Sequence, residues 1–250
     1  MPKYSVVIPV YNSADIVAET VDRVAGFFND SGLDYEMILV NDGSGDNSWD
    51  IIRGKTKQNP NIIAINFLKN YGQHTANFCG FKESTGDFLI TLDDDLQNPP
   101  EEIIHLIKKA EEGDYDLVIG QFEKKRHPFY RRLGSYLIGE LNARIFGKPK
   151  DLVLTNFRMM RREVVDRLCA YNTNFPYITG LALWFSSNPA NVLVRHEERR
   201  TGSSNYSLLR ILKLVFLILF NYSSYPLRLL GGIGIIVSLL SLALGMFYIL

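Results

Sequence analysis

The sequence predicts an α/β fold: a mainly parallel sheet flanked by helices, then amphipathic helices at a membrane surface, then a C-terminal transmembrane helix. Three observations predict it. Short apolar runs alternate with helical stretches through the first half of the chain, and repeated βα units imply a parallel sheet covered on both faces. Polar, turn-prone residues gather where each apolar run ends. Leu229 to Leu250 carries no charged residue and is long enough to cross a bilayer, which takes about 20 apolar residues.

The elements follow in order. "YSVVIPV" reads as a buried strand, and Ser13 or Asp15 is placed to cap a helix over Ala14 to Phe28. "YEMILVND" is a second strand ending on Asp42, and "GSGDNS" turns the chain into a helix from Trp49 to Lys57. "NIIAINF" is a third strand, "HTANFCGFKES" a helix, and "DFLITLD" a fourth strand. "PPEEIIHLIKKAEEG" is a helix with Asn98 as its N-cap, and "YDLVIG" is a fifth strand. "FPYITGLALWF", Phe175 to Phe185, reads as a packed helix whose aromatics belong to the core. "SLLRILKLVFLILFNYSSYPLRLL" reads as one or two interfacial helices broken near Pro226.

With 250 residues, 46% of them hydrophobic, the chain can form one sizeable domain and a smaller region. The expected division is a globular domain over 1–206, juxtamembrane helices over 207–228 and a span over 229–250. Lys+Arg and Asp+Glu balance at 27 each, so bulk charge implies no nucleic acid or other polyanionic partner. Cys79 and Cys169 have neither metal-like nor redox-like spacing and read as reduced thiols. The N-terminus lacks the pattern of a signal peptide. Arg210, Lys213 and Arg228 flank the expected span, so the positive-inside tendency places the globular domain in the cytoplasm. Oligomeric state is not readable, and a symmetric homo-oligomer stays open.

In parallel sheets, ligands bind beyond the carboxyl ends of the strands. Here those ends carry Pro9, Tyr11 and Asn12; Asp42; the loop Lys69 to His74 with Gln73; and Asp93, Asp94 and Asp95. Neither a dinucleotide fingerprint nor a P-loop follows the first strand. Three adjacent carboxylates at a buried strand's mouth repel one another unless a cation offsets them. In an extended segment Asp93 and Asp95 share a face, with Gln97 rejoining them, and Asp94 points the other way. Two carboxylates and an amide oxygen are hard ligands suited to Mg²⁺ or Mn²⁺. His74 reads as a residue in local hydrogen bonding.

"VVIPVYN", "VNDGS" and "LDDDLQNPPEE" together resemble the family 2 glycosyltransferases of the GT-A fold. The resemblance is closest to the polyprenyl-phosphate glycosyltransferases, and "NYGQHTANFCGF" is most like the aminoarabinose transferases of that group. It implies that Pro9, Tyr11 and Asp42 hold the base and ribose of a nucleotide sugar. It also implies that Asp93, Asp95 and Gln97 bind the metal and diphosphate, with UDP favoured and GDP open. Asn12, Gln73 and Asp94 are further donor-site candidates. Where the family often has a small residue between the two aspartates, this chain has Asp94.

The resemblance also bears on the acceptor. Family members that transfer to a hydroxyl usually carry a later ED pair, and processive synthases carry Q-x-x-R-W; this chain has neither after Asp95. A lipid phosphate is already anionic and needs cations more than a base. Arg131 and Ser135, four residues apart, share a helical face, and Arg200 opens an R-x-G-x-S-x-Y segment like the family's phosphate-binding one. Asn205 stands where the family usually has Lys. The expected activity is inverting transfer from a nucleotide sugar to a polyprenyl phosphate such as undecaprenyl phosphate at the inner membrane, with Asp95, Arg131 and Arg200 catalytic. Lys124 and Lys125 read as solvated charges. A hydroxyl-acceptor enzyme and a non-catalytic membrane scaffold are the rival readings.

Overall fold

The computed structural model describes residues 1–122, 129–197 and 208–249, with backbone alone at 129–137, 208–211 and 249. The chain forms two compact units, Met1–Arg126 with Phe146–Ser204, and His127–Ile145 with Asn205–Leu250.

The first unit is a seven-stranded sheet. Its elements are β1 (Lys3–Val10), α1 (Val17–Ser31), β2 (Asp34–Asn41), α2 (Ser48–Gln58), β3 (Ile62–Asn66), α3 (Gln73–Glu83) and β4 (Phe88–Thr91). A single 3-10 turn, Pro100–Glu102, leads into α4 (Ile103–Gly113), and β5 (Leu117–Gln121) follows. After α5 (Phe129–Phe146), which lies almost wholly in the second unit, come β6 (Arg158–Arg161), α6 (Arg162–Ala170), α7 (Ile178–Phe185) and β7 (Pro189–Leu193).

The strand order is β3-β2-β1-β4-β6-β5-β7. Every adjacent pair is parallel except the two that involve β6, which runs antiparallel to both β4 and β5. The five expected strands form where expected. The sequence did not point to β6 and β7: "RMMR" is short with a cation at each end, and "PANVL" opens on proline.

Both faces of the central strands are covered, which is why β1 and β2 read as continuous apolar runs. On one face, Tyr4, Val6, Ile8 and Val10 of β1 join Met37 and Leu39 of β2 in a buried core with α1, α2 and α4. Val17, Val21, Val24 and Phe28 give α1 its buried stripe; Ile103, Leu106, Ile107 and Ala110 do the same for α4. On the other face α3 lies so close to β1 that a Cβ at Gly80 would stand 2.4 Å from Val7 Cγ1.

Three expected caps are not made. α1 starts at Val17, and Ser13 serves it through its backbone carbonyl, which accepts from Ile16 and Val17 N–H. Asp15 makes no cap. Asn98 makes none either; it is buried, and its Oδ1 has no hydrogen-bond partner among the described residues.

In the second unit, α8 (Leu208–Tyr222) and α9 (Tyr225–Ile249) are separate helices parted at Ser223 and Ser224. The break thus falls near Pro226, as expected, though just before it. Pro226 stands in the first turn of α9, where a missing N–H costs no hydrogen bond. Among the described residues α9 is the one helix long and apolar enough to cross a membrane, and its apolar side chains from Leu229 to Tyr248 are exposed all round.

Candidate active site

Four loops meet at the carboxyl ends of the parallel strands, and hydrogen bonds join them in a closed ring. From the β1 end, Tyr11 N–H donates to Asp94 Oδ2 (3.1 Å), and the Ser13 hydroxyl donates to the same oxygen. In the β4 loop, Asp93 Oδ1 accepts from Gln73 Nε2 (2.5 Å), which belongs to the first residue of α3. Just before α3, Tyr71 N–H and Gly72 N–H donate to Asp42 Oδ1 (2.7 Å) and Oδ2 (2.9 Å) at the end of β2. The β2 loop returns to the β1 loop through Asn12 N–H to Ser44 Oγ (3.0 Å) and Gly45 N–H to Asn12 Oδ1 (2.8 Å).

Local backbone explains how these contacts fit. Asn12 sits at φ 51, a left-handed conformation that Asn tolerates better than most residues. Gly43 sits at φ +65 under the backbone of Lys69 and Asn70, where a Cβ would lie 2.3 Å from the Lys69 carbonyl carbon. The β3–α3 loop can therefore lie directly on the β2 end.

The aspartate loop is not the extended segment on which the expected alternation of Asp93, Asp94 and Asp95 rested. The strand ends at Thr91, and Asp94 and Asp95 lie in a turn rather than an extended segment. Leu96 follows at φ 56, and Gln97 N–H bonds back to Asp95 Oδ1 (3.1 Å). The turn, not strand alternation, sends Asp94 to the β1 loop, where its backbone carbonyl also accepts from Thr20 Oγ1 (2.9 Å). Asp94 thus braces the Tyr11 loop.

Charge is crowded here. Burial, then the neighbouring Asp95 and Asp94, push the Asp93 carboxyl up to about 7, against the opposing pull of Arg158 and the Gln73 hydrogen bond. Burial also raises Asp94 to about 6 despite its hydrogen bonds from Ser13 and Tyr11. Asp42, 3% exposed, is raised by burial, though its two backbone hydrogen bonds pull the other way. Among the described residues no three His, Cys, Asp or Glu side chains converge as a complete metal cage. Asp93 and Asp95, with Asp94 turned away, offer an incomplete set of hard oxygen donors. That set fits Mg²⁺ or Mn²⁺ with positions left for phosphate oxygens.

Arg158 was not among the residues expected at the site. It opens β6 opposite Thr91, two residues before Asp93, and is 1% exposed. Its Nη2 donates to Asn156 Oδ1 (3.1 Å) and Thr179 Oγ1 (3.3 Å), and burial lowers its pKa to about 10. A cation inside the apolar stretch "NFRMM" was the available signal. His74 is the second residue of α3 rather than a loop residue. It is edge-on to Tyr177 with ring centroids 5.4 Å apart, and burial and the Arg158 charge hold it neutral with a pKa of about 4.

The remaining candidates fall as follows. Pro9 is buried in β1 opposite Val40, while Tyr11 is half-exposed. Gln97 is half-buried and held by its backbone. Arg131 and Ser135 belong to α5, but their side chains lie outside the described residues, as does the whole of Arg200. Lys124 and Lys125 also lie outside them.

Solved structures of the glucosyl-3-phosphoglycerate synthase of Mycobacterium tuberculosis are similar to this chain. Its complex with Mn²⁺, UDP-glucose and phosphoglyceric acid superposes with a TM-score of 0.63 at 15% identity, covering 87% of this chain and 77% of that one. The complex with Mn²⁺, UDP and glucosyl-3-phosphoglycerate gives 0.60 at 17% identity, covering 86% and 76%. At such identities the likeness shows the fold, which is GT-A. The family model described as glycosyl transferase family 2 matches residues 5–169, from β1 through α6. The chain belongs to glycosyl transferase family 2.

Proposed function

We propose that this protein transfers a sugar, with inversion, from a nucleotide sugar (a UDP-sugar by preference) to a polyprenyl phosphate at the cytoplasmic face of a membrane. The observation that carries the reading is the division among the aspartates. Asp94 is spent on the β1 loop, which leaves Asp93 and Asp95 as a pair of carboxylates crowded enough to call for a cation. The similar synthase is described with Mn²⁺ and UDP-glucose, which supports the same donor chemistry here. That synthase is also described with phosphoglyceric acid, an anionic acceptor. The exposed apolar surface of α9 supports a lipid in that place and an integral-membrane location.

Asp93, Asp95 and Gln97 would hold the ion, and when bound it neutralises the diphosphate of the donor. Tyr11 and Asp42 line the nucleotide side. The acceptor phosphate, held by Arg131, Ser135 and Arg200, attacks the anomeric carbon through an anionic oxygen. The bond from that carbon to the nucleoside diphosphate breaks, and its electron pair leaves with the diphosphate oxygen. No proton moves, so no general base is needed, and a single displacement inverts the centre.

The test is a donor panel with purified protein in detergent and undecaprenyl phosphate, following nucleotide release and lipid-linked sugar. The expected result is metal-dependent transfer that Asp95→Ala abolishes. Full activity in Asp95→Ala would overturn the assignment of the cation site, and transfer to free phosphorylated acceptors but not to lipid phosphate would overturn the acceptor.

A further inference from the structure

β6 is the strand beside the aspartate loop, and it opens on a charge that the proposed reaction does not use. The sheet runs β2-β1-β4-β6 across this region. β6 is antiparallel to β4, so its first residue, Arg158, lies at the carboxyl edge of the sheet, opposite Thr91. Val7, Thr91 and Arg158 are register neighbours on three adjacent strands, and side chains so paired share a face. It is the face that α3 covers, because Val7 meets Gly80 there. Arg158 therefore points beneath α3 and α7. Thr179 of α7 accepts its hydrogen bond, and its charge is felt by His74 of α3 and by Asp93.

The side chain is poorly served for its charge. A guanidinium carries five N–H donors and accepts nothing. Among the described residues, Arg158 Nη2 reaches two neutral oxygens, Asn156 Oδ1 at 3.1 Å and Thr179 Oγ1 at 3.3 Å, and the buried Nε reaches none. Asp93 acts on Arg158 through space, and its own hydrogen bond comes from Gln73. Burying a charge without a hydrogen-bonded partner is costly. Around this 1% exposed cation, His74, Asn156 and Thr179 are only half-buried, so the guanidinium is the floor of a partly open site.

The layout of a nucleotide sugar fits that floor. On the proposed function the nucleoside lies over the β1 and β2 ends, with Tyr11 and Asp42, and the diphosphate lies on the ion at the β4 loop. The sugar follows the diphosphate along the donor, and β6 follows β4 across the sheet. An ion on Asp93 also takes up the negative charge that faces Arg158, which leaves the guanidinium to the ligand.

We propose that Arg158 is a specificity-determining residue that touches the sugar of the donor and selects one presenting a hydrogen-bond-accepting oxygen at that place, neutral or carboxylate. The inference rests on the proposed function for the donor. The planar fork of a guanidinium reads the direction of such an oxygen, which an ammonium does not.

Calorimetry at saturating Mn²⁺ tests this on the full chain, with UDP, UDP-glucose, UDP-N-acetylglucosamine and UDP-glucuronic acid, in wild type, Arg158→Met, Arg158→Lys and Thr179→Val. The UDP-sugar that wild type binds best should lose about tenfold or more in Arg158→Met beyond whatever UDP loses, the scale of a hydrogen bond to a charged group. Loss that comes through Asp93 falls on UDP as well and cancels in that comparison. Arg158→Lys should keep part of the preference, because the charge stays and the fork goes. Thr179→Val, which removes one anchor of Nη2, should cost the UDP-sugar a smaller factor and leave UDP within about twofold. Should Arg158→Met not fold, Arg158→Lys and Thr179→Val decide by the same comparison. A sugar-specific loss supports the inference: on UDP-glucuronic acid it assigns Arg158 a carboxylate, and on the other two a neutral oxygen. Equal losses on UDP and the UDP-sugars would overturn it and leave the donor site standing, with Arg158 serving Asp93 or the core alone. Wild type that binds UDP but none of the UDP-sugars would overturn it too. If wild type binds neither UDP nor UDP-sugars, the proposed function fails and the inference with it.

Discussion

The Ser13 hydroxyl donates to Asp94, and that bond separates the middle aspartate of the loop from its two neighbours. On the proposed function, Asp94 would act on the donor site by holding the Tyr11 loop. Asp94→Ala should raise the donor KM by about tenfold or more, the effect of losing at least roughly 1.5 kcal/mol of charge-assisted hydrogen bonding. The Mn²⁺ concentration for half-maximal activity should stay within about twofold. Steady-state kinetics over a metal titration checks this; a large rise in the metal requirement would make Asp94 a ligand.

Arg158 is the buried cation next to Asp93. A positive neighbour lowers a carboxyl pKa, so Arg158→Met leaves Asp93 protonated to still higher pH. Each pH unit of that displacement weakens cation binding at neutral pH by about tenfold. The pH midpoint of Mn²⁺ binding should move upward in Arg158→Met and partly return in Arg158→Lys. Calorimetric titration of Mn²⁺ with UDP from pH 6 to 8.5 measures it.

Two carboxylates give opposite pH signatures in stability. Asp93 has a folded pKa of about 7 against an ordinary 3.8, so the folded state holds its proton more tightly. Its contribution is greatest below about pH 4 and is lost as pH rises to about 7. Glu36 behaves in reverse: burial alone would raise it, but hydrogen bonds from Lys3, Ser5 and Thr85 hold it at about 2 against 4.5. Its contribution is present above about pH 4.5 and is lost as pH falls to about 2. Chelated protein should therefore gain more thermal stability from Mn²⁺ at pH 8 than at pH 5. Glu36→Gln should flatten the acid limb of the melting curve without altering donor affinity.

Gly43→Ala tests the close approach of the β3–α3 loop. The new Cβ meets Lys69 main chain at 2.3 Å, and the positive φ adds strain. A loss of about 2 kcal/mol or more is expected in urea unfolding. UDP binding should weaken with it, because the displaced loop carries the Tyr71 and Gly72 donors to Asp42.

The parallel half of the sheet was legible because β1 and β2 are buried on both faces, which leaves an unbroken apolar run in the sequence. β6 was not legible. "RMMR" forms a strand only because β4 and β5 flank it, and that pairing joins residues far apart in the chain. The strand-end candidates were legible as a group, yet their partners were not. Ser13 and Asn12 look like turn and cap residues because sequence shows only near neighbours; the fold commits them to Asp94 and Gly45. Arg158 escaped for the same reason.

The ring of four loops has a mechanical meaning. A loop held from one side is released when its single support goes, but every loop here is held from two. Removing Gln73 still leaves the Asp93 loop joined to β1 through Asp94, and removing Ser13 still leaves it joined to α3. Loss of Gln73 or Ser13 alone should therefore be mild and loss of both severe, with a joint cost greater than the sum. Redundancy of this kind lets residues at the site change one at a time without the whole rim coming apart.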